Sequence, residues 1–155
     1  MMSVKLASCK KWRKNKAAKM IEKTKTIGGN MVALAEYLPE EVLPFVAPEM
    51  GRMGFNVGGH VYRPRIESLR LQTFQKSAIC VGCGVQGTIM RLEYSANCTI
   101  VAPHFNLYHV RADGIAVLMT QDHIIPRSNG GKDWIGNLQT MCCICNVKKG
   151  SSVLC

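Results

Sequence analysis

The stretch MTQDHIIPRSNGGKDWIGNLQTMCCICNVKKG, residues 119 to 150, decides how the chain is read. Just upstream, Phe105 to Val110 and Ile115 to Thr120 are short runs rich in β-branched and aromatic residues. Arg111-Ala112-Asp113-Gly114 between them has turn chemistry, so a hairpin is expected. Its second strand ends on adjacent carboxylate and imidazole groups, Asp122 and His123. The following loop, Arg127 to Asp133, is rich in turn residues. With Arg127 and Lys132 it reads as a phosphate-backbone contact or as a plain connector. Cys142 to Lys149 then reads as a short helix on which Cys142, Cys145 and Asn146 share one face. Lys148 and Lys149 complement the negative end of that helix, and Gly150 is a natural residue to follow it.

A second thiol pair lies far upstream. Cys80-Val81-Gly82-Cys83-Gly84 has the form of a zinc knuckle, in which two thiols two residues apart grip one ion and the glycines permit the turn. Together with Cys142 and Cys145 it supplies the four thiolates of a closed structural Zn²⁺ site. Such a site ties distant parts of the chain together. The competing readings are two disulfides or unligated core thiols. The Lys-rich start lacks the apolar run of a signal peptide, which favours a reducing, cytoplasmic setting and hence zinc. Cys98 reads as a buried apolar thiol; Cys143 and Cys155 are spare, with Cys143 a possible substitute ligand.

The chain has 155 residues, 47% of them apolar, enough for one modest core and an extension. No segment reaches the roughly 18 consecutive apolar residues that would span a bilayer. Its formal charge of +10 favours a polyanionic partner, nucleic acid before a small acidic substrate. Nine Lys or Arg against Glu22 fall within residues 1 to 25, so the excess sits in an arm. That arm, residues 1 to 27, reads as a helix or as disordered chain. Lys10, Lys11, Arg13 and Lys14 are candidates for phosphate contacts and Trp12 for stacking on bases; a solubilising terminus is the plainer reading.

Residues 28 to 76 are expected to be helical and irregular. Asn30 can cap a short helix through Met31 to Tyr37, and Pro39 suits a first helical turn. The glycine-rich run from Gly51 to Arg65 reads as turns and irregular chain, with His60 a surface or packing residue. Arg65 to Ala78 reads as an amphipathic helix through Ile66, Leu69, Leu71 and Phe74.

Asp122-His123, Asn137 and Cys142-x-x-Cys145-Asn146-x-x-Lys149-Gly150, preceded by Cys80-x-x-Cys83, resemble the HNH endonucleases, whose active site is a ββα-metal finger. His104-Phe105-Asn106-Leu107-Tyr108 is similar to a feature of bacteriophage-encoded members, which would act in the host cytoplasm. The resemblance covers about residues 77 to 151 and implies an α+β fold, with a zinc-stapled nuclease domain over 77 to 155 behind a mainly helical, basic N-terminal region. It also implies a metal-dependent endonuclease that hydrolyses phosphodiester bonds of DNA, RNA remaining open as a substrate. In that reading His123 is the general base, and Asp122 and Asn146 hold one Mg²⁺ or Mn²⁺. Asn137 hydrogen-bonds backbone across the finger loop and keeps His123 aimed. Asn146 stands where the name-giving pattern has His, leaving the site dependent on Asp122 for negative charge. His104 and His109 read as structural. Lys148 and Lys149 remain candidates for phosphate contacts, and a double-strand break would need a homodimer or sequential nicking. The alternative is a noncatalytic, zinc-stabilised protein that binds nucleic acid or a host partner.

Overall fold

The strand that ends on Asp122 and His123 is the hub of the sheet. The computed structural model describes residues 25–97 and 102–153. The basic residues Lys10, Lys11, Arg13 and Lys14, together with Trp12, Cys9, Cys98 and Cys155, lie outside the described residues. The elements run β1 (Thr26–Ile27), β2 (Met31–Tyr37), α1 (Pro39–Val42), β3 (Phe55–Val57), β4 (His60–Tyr62), α2 (Leu69–Lys76), β5 (Ile89–Ser95), β6 (His104–Val110), β7 (Ala116–His123), β8 (Leu138–Cys142) and α3 (Cys143–Lys149). The main sheet has the order β1-β7-β6-β5-β2, with β8 also paired to β7, and β3-β4 stands apart as a hairpin. This is the expected mixed α+β class. No helix among the described residues is long and apolar enough to cross a membrane.

The hairpin read from sequence is β6-β7, closed through Asp113 and Gly114, whose φ of 79° favours glycine. Its pairing is short. Tyr108, His109 and Val110 face Leu118, Val117 and Ala116, and there the two strands part. Beyond that point β7 pairs antiparallel with β8, from Met119↔Cys142 to His123↔Leu138. The even-numbered peptides of β7 face that way: Ala116 N–H bonds Lys25 O of the β1 side, and Ile124 N–H bonds Asn137 O. So β8 continues the edge begun by β1, and the other edge of β7 opens a wedge toward β6.

The core lies on one side of β2, β5 and β6. Ala35, Met90, Leu92, Phe105 and Leu107 are fully buried, against Val42, Phe55, Ile66, Leu71 and Phe74 from the covering elements. Tyr37, Phe55 and Phe105 meet edge to face at centroid distances of 4.8 to 5.6 Å, the geometry that ring quadrupoles favour. The alternate residues of β5 and β6 form a buried polar layer. Glu93 accepts from Asn106 Nδ2 and Tyr108 OH, both at 2.6 Å. Burial and then the Glu93 hydrogen bond push the Tyr108 phenol well above its ordinary pKa.

Three expectations for residues 28 to 76 are corrected. Met31 to Tyr37 is a strand, because Ala35 and Tyr37 reach the core at a spacing of two while Glu36 between them pairs with Arg91 at 2.8 Å. The glycine-rich run is a hairpin, its turn made by Gly58 and Gly59 at φ 59° and 86°. The helix after Pro64 starts at Leu69, where Ser68 Oγ caps Leu71 N–H at 3.3 Å. The region therefore mixes strands and short helices rather than being mainly helical, while α1 does start on Pro39.

Candidate active site and metal centre

Four sulfurs converge beneath the finger. The knuckle turn is closed by Cys80 N–H to Val85 O at 2.9 Å and Gly84 N–H to Cys80 O at 2.8 Å. Val81 N–H to Thr140 O, 3.0 Å, stitches it to β8. Cys142 ends β8 and caps α3, its Sγ accepting Cys145 N–H at 3.4 Å. The Sγ atoms of Cys80, Cys83, Cys142 and Cys145 all lie within 4.8 Å of one another. Cys83 Sγ and Cys142 Sγ are 3.8 Å apart, close to the edge of a tetrahedron built on metal–sulfur bonds of about 2.3 Å. The quartet is thus compatible with a structural metal ion. Gly82 suits the close approach, because a Cβ there would stand 3.0 Å from Cys145 Cβ, tighter than most side-chain contacts.

Burial opposes ionisation of Cys80 most strongly, yet the peptide groups of Cys142, Cys83 and Gly82 outweigh it and bring the thiol down to about 7. Burial and neighbouring sulfurs push Cys145 up. Cys143 is not a substitute ligand; its Sγ lies 3.6 Å from Ile27 O, against Gly28.

The strand–helix junction above the sulfurs carries the polar residues. Side chains alternate along β7, so Thr120 and Asp122 share one face, and α3 covers it with Asn146 and Lys149, three residues apart. Asn146 Nδ2 donates to Thr120 Oγ1 at 2.9 Å. Lys149 Nζ lies 3.2 Å from Asp122 Oδ1, 3.1 Å from Oδ2 and 2.9 Å from His123 O. Gln139 Nε2 donates to Asp122 Oδ2 at 2.7 Å. Asn146 thus meets Thr120, and the partner facing Asp122 from the helix is Lys149. Lys149 is also not at the surface, where a phosphate contact would need it: its side chain is 1% exposed. Lys148 and Lys132 are exposed.

His123 lies on the opposite alternation of β7, its Nε2 2.6 Å from Asp133 Oδ1. Arg127 braces the same carboxylate, Nη2 to Oδ2 at 2.6 Å and Nε to Oδ1 at 3.1 Å. The hydrogen bond from His123, then those from Arg127, hold the Asp133 carboxyl below its usual range. Asn137 spans the loop. Its Nδ2 donates to Ile125 O and Lys132 O, each at 3.1 Å, and its Oδ1 accepts Ile125 N–H at 2.9 Å. Gly131 is needed here, since a Cβ would collide with the Ile125 carbonyl.

The remaining histidines make structural contacts: His109 Nδ1 with Gln86 O at 2.8 Å, His104 Nδ1 with Ala102 O at 3.2 Å, and exposed His60 against the Tyr62 ring. Asp133 and Gln139 were not singled out from sequence. Asp133 sits in a turn-rich loop, and Gln139 is identified only by the register that sets it opposite Asp122.

Residues 109–152 match the family model described as HNH endonuclease, a match that supports a nuclease-type function in general and implies nucleic acid as the substrate. No curated protein and no solved structure matches the chain.

Proposed function

We propose that the chain, through its HNH domain, is a metal-dependent DNA endonuclease in which His123 is the general base. The observation that carries this reading is the Asp133 carboxylate 2.6 Å from His123 Nε2. A carboxylate there selects the Nε2–H tautomer and leaves Nδ1 as the basic nitrogen, with no hydrogen-bond partner among the described residues. Nδ1 then takes the proton of a water attacking phosphorus. Asn137 holds Ile125 and Lys132, bracing the loop on either side of that water's approach.

Zn²⁺ is the ion that best suits four thiolates at this spacing. For the catalytic ion, Asp122 and Asn146 offer hard oxygen donors, and Asn146 Oδ1 accepts no hydrogen bond from the described residues, a donor set that fits Mg²⁺ or Mn²⁺. Bound there, such an ion would stabilise charge developing on the phosphate and the leaving oxygen. Lys149 is its competitor for the carboxylate. Exposed Lys132 and Lys148 remain available to neighbouring phosphates.

The test is nicking of supercoiled plasmid with Mg²⁺ or Mn²⁺. His123→Ala is expected to lower the rate about a hundredfold or more; equal cleavage by both proteins, or no cleavage with any metal, would refute the proposal. Asp133→Asn is expected to slow cleavage about ten- to a hundredfold, because an amide can donate to Nε2 and favour the other tautomer. Plasmid affinity should stay as it was. A loss of affinity with an unchanged single-turnover rate would instead make Asp133 part of the DNA-binding surface.

A further inference from the structure

The wedge between β6 and β7 is a cleft of about 500 Å³. Its walls include Phe105 and His104 from β6, Gln121 from β7, and Arg65, Ser68 and Arg70 at the start of α2. Arg70 fills the angle where the strands part, its Nη2 donating to Phe105 O at 3.1 Å, a carbonyl that the missing β6–β7 pairing leaves available. A guanidinium has five N–H donors. Arg70 Nε is buried with no hydrogen-bond partner. Glu93, the buried carboxylate whose charge acts on Arg70, spends its hydrogen bonds on Asn106 and Tyr108. No Asp or Glu lines the cleft. Arg65 on the rim has a 65% exposed side chain, paired only with Glu67. Ser68 caps Leu71 alone, so the first-turn N–H groups of Leu69 and Arg70 still want acceptors. The uncommitted guanidinium and backbone N–H groups here are donors, and the Gln121 amide and the Ser68 hydroxyl can donate or accept.

The cleft also has a direction. Gln121 and His123 occupy the same face of β7, two residues or about 6.8 Å apart. A chain crossing His123 and running back along β7 meets Gln121 and then the arginines. We infer that the wedge binds a backbone phosphate of the nucleic-acid strand that is cut, one or two nucleotides from the scissile bond. The inference rests on the nuclease reading for its substrate. It adds a subsite built largely from residues upstream of the matched segment.

The experiment is binding of a short labelled DNA duplex and its single strand, without added divalent ions, across a salt series. All proteins carry His123→Ala, so nothing is cut. Arg65→Gln, at an exposed position, is expected to weaken binding about tenfold and to lower the salt slope by about 0.9 on duplex or about 0.7 on single strand. Arg70→Lys keeps the charge and the packing but cannot both hold Phe105 O and offer the fork, so a several-fold loss is expected with a normal melting curve. Arg111→Gln, in the turn at the far end of the hairpin, removes the same charge and should change little. An equal loss in Arg111→Gln, wild-type binding by both cleft variants, or no binding by the parent overturns the subsite. If the cleft variants bind normally while the unmodified enzyme nicks plasmid, the subsite alone fails. If they lose binding while the unmodified protein nicks nothing, the catalytic reading alone fails.

Discussion

Cys83→Ser is expected to unfold the finger, although Cys83 is exposed. A surface substitution that only exchanges a thiol for a hydroxyl falls within about 0.5 kcal/mol of neutral. Cys83 Sγ, however, is one of four sulfurs within 4.8 Å of one another and stands 3.8 Å from Cys142 Sγ. On the zinc reading those sulfurs share an ion whose binding contributes about 10–16 kcal/mol near neutral pH in finger peptides. Losing one ligand then removes several kcal/mol from a domain whose whole stability is of the order of 5–15 kcal/mol. The knuckle and the β8–α3 corner are joined mainly by this cluster and by Val81 N–H to Thr140 O. The damage should therefore spread to the end of β7, where Asp122 and His123 sit. Circular-dichroism melting with metal analysis of the purified protein provides the check. Wild-type protein should carry one equivalent of zinc, and the variant should have little zinc and a transition lost or lowered by well over 10 °C. A normal melt in the variant would show that the four thiols are not a load-carrying site.

The sequence was most readable where spacing reports chemistry. The two Cys-x-x-Cys pairs, the β6–β7 hairpin with its Asp-Gly turn and the short helix ending at Gly150 all have local signals, and all lie where expected. It was least readable where long-range pairing overrides local preference. Met31 to Tyr37 contains good helix formers, but β5 offers a partner strand, and only the alternation of Ala35 and Tyr37 hints at it. The Gly58-Gly59 pair was a hairpin signal hidden among many glycines.

The polar residues divide in the same way. Asp122, His123 and Asn146 stand out by adjacency and helical spacing, whereas the partner of each is set by register. Gln139 meets Asp122 because β8 pairs with β7 in one phase, and Asp133 meets His123 because the loop folds back through Asn137 and Gly131. The cleft was invisible for the same reason. It exists because β7 parts from β6 after Leu118, and nothing in residues 116 to 123 announces the parting.

Lys149→Met is expected to destabilise the protein by about 3–5 kcal/mol without added divalent ions, and Mg²⁺ or Mn²⁺ should restore part of that. The lysine looks from sequence like a helix-end cation facing solvent, but its ammonium is enclosed, with all its contacts going to Asp122 and the His123 carbonyl. Methionine keeps the packing volume and removes the charge, leaving a carboxylate that is 8% exposed with Gln139 Nε2 as its remaining donor. Removing one member of a buried pair costs this much because the other stays desolvated and uncompensated. A divalent ion on Asp122 would supply the missing positive charge, and the gain follows mass action as the ion concentration passes its dissociation constant. The wild type, where lysine already holds the carboxylate, should gain less from the same ion. Thermal melts of both proteins over a Mg²⁺ and Mn²⁺ series measure the difference. Equal metal responses would mean that Asp122 binds no ion. Adding Asp122→Asn should recover stability in the Lys149→Met background and abolish the response, since the unpaired charge and the ion's anchor are then the same missing group.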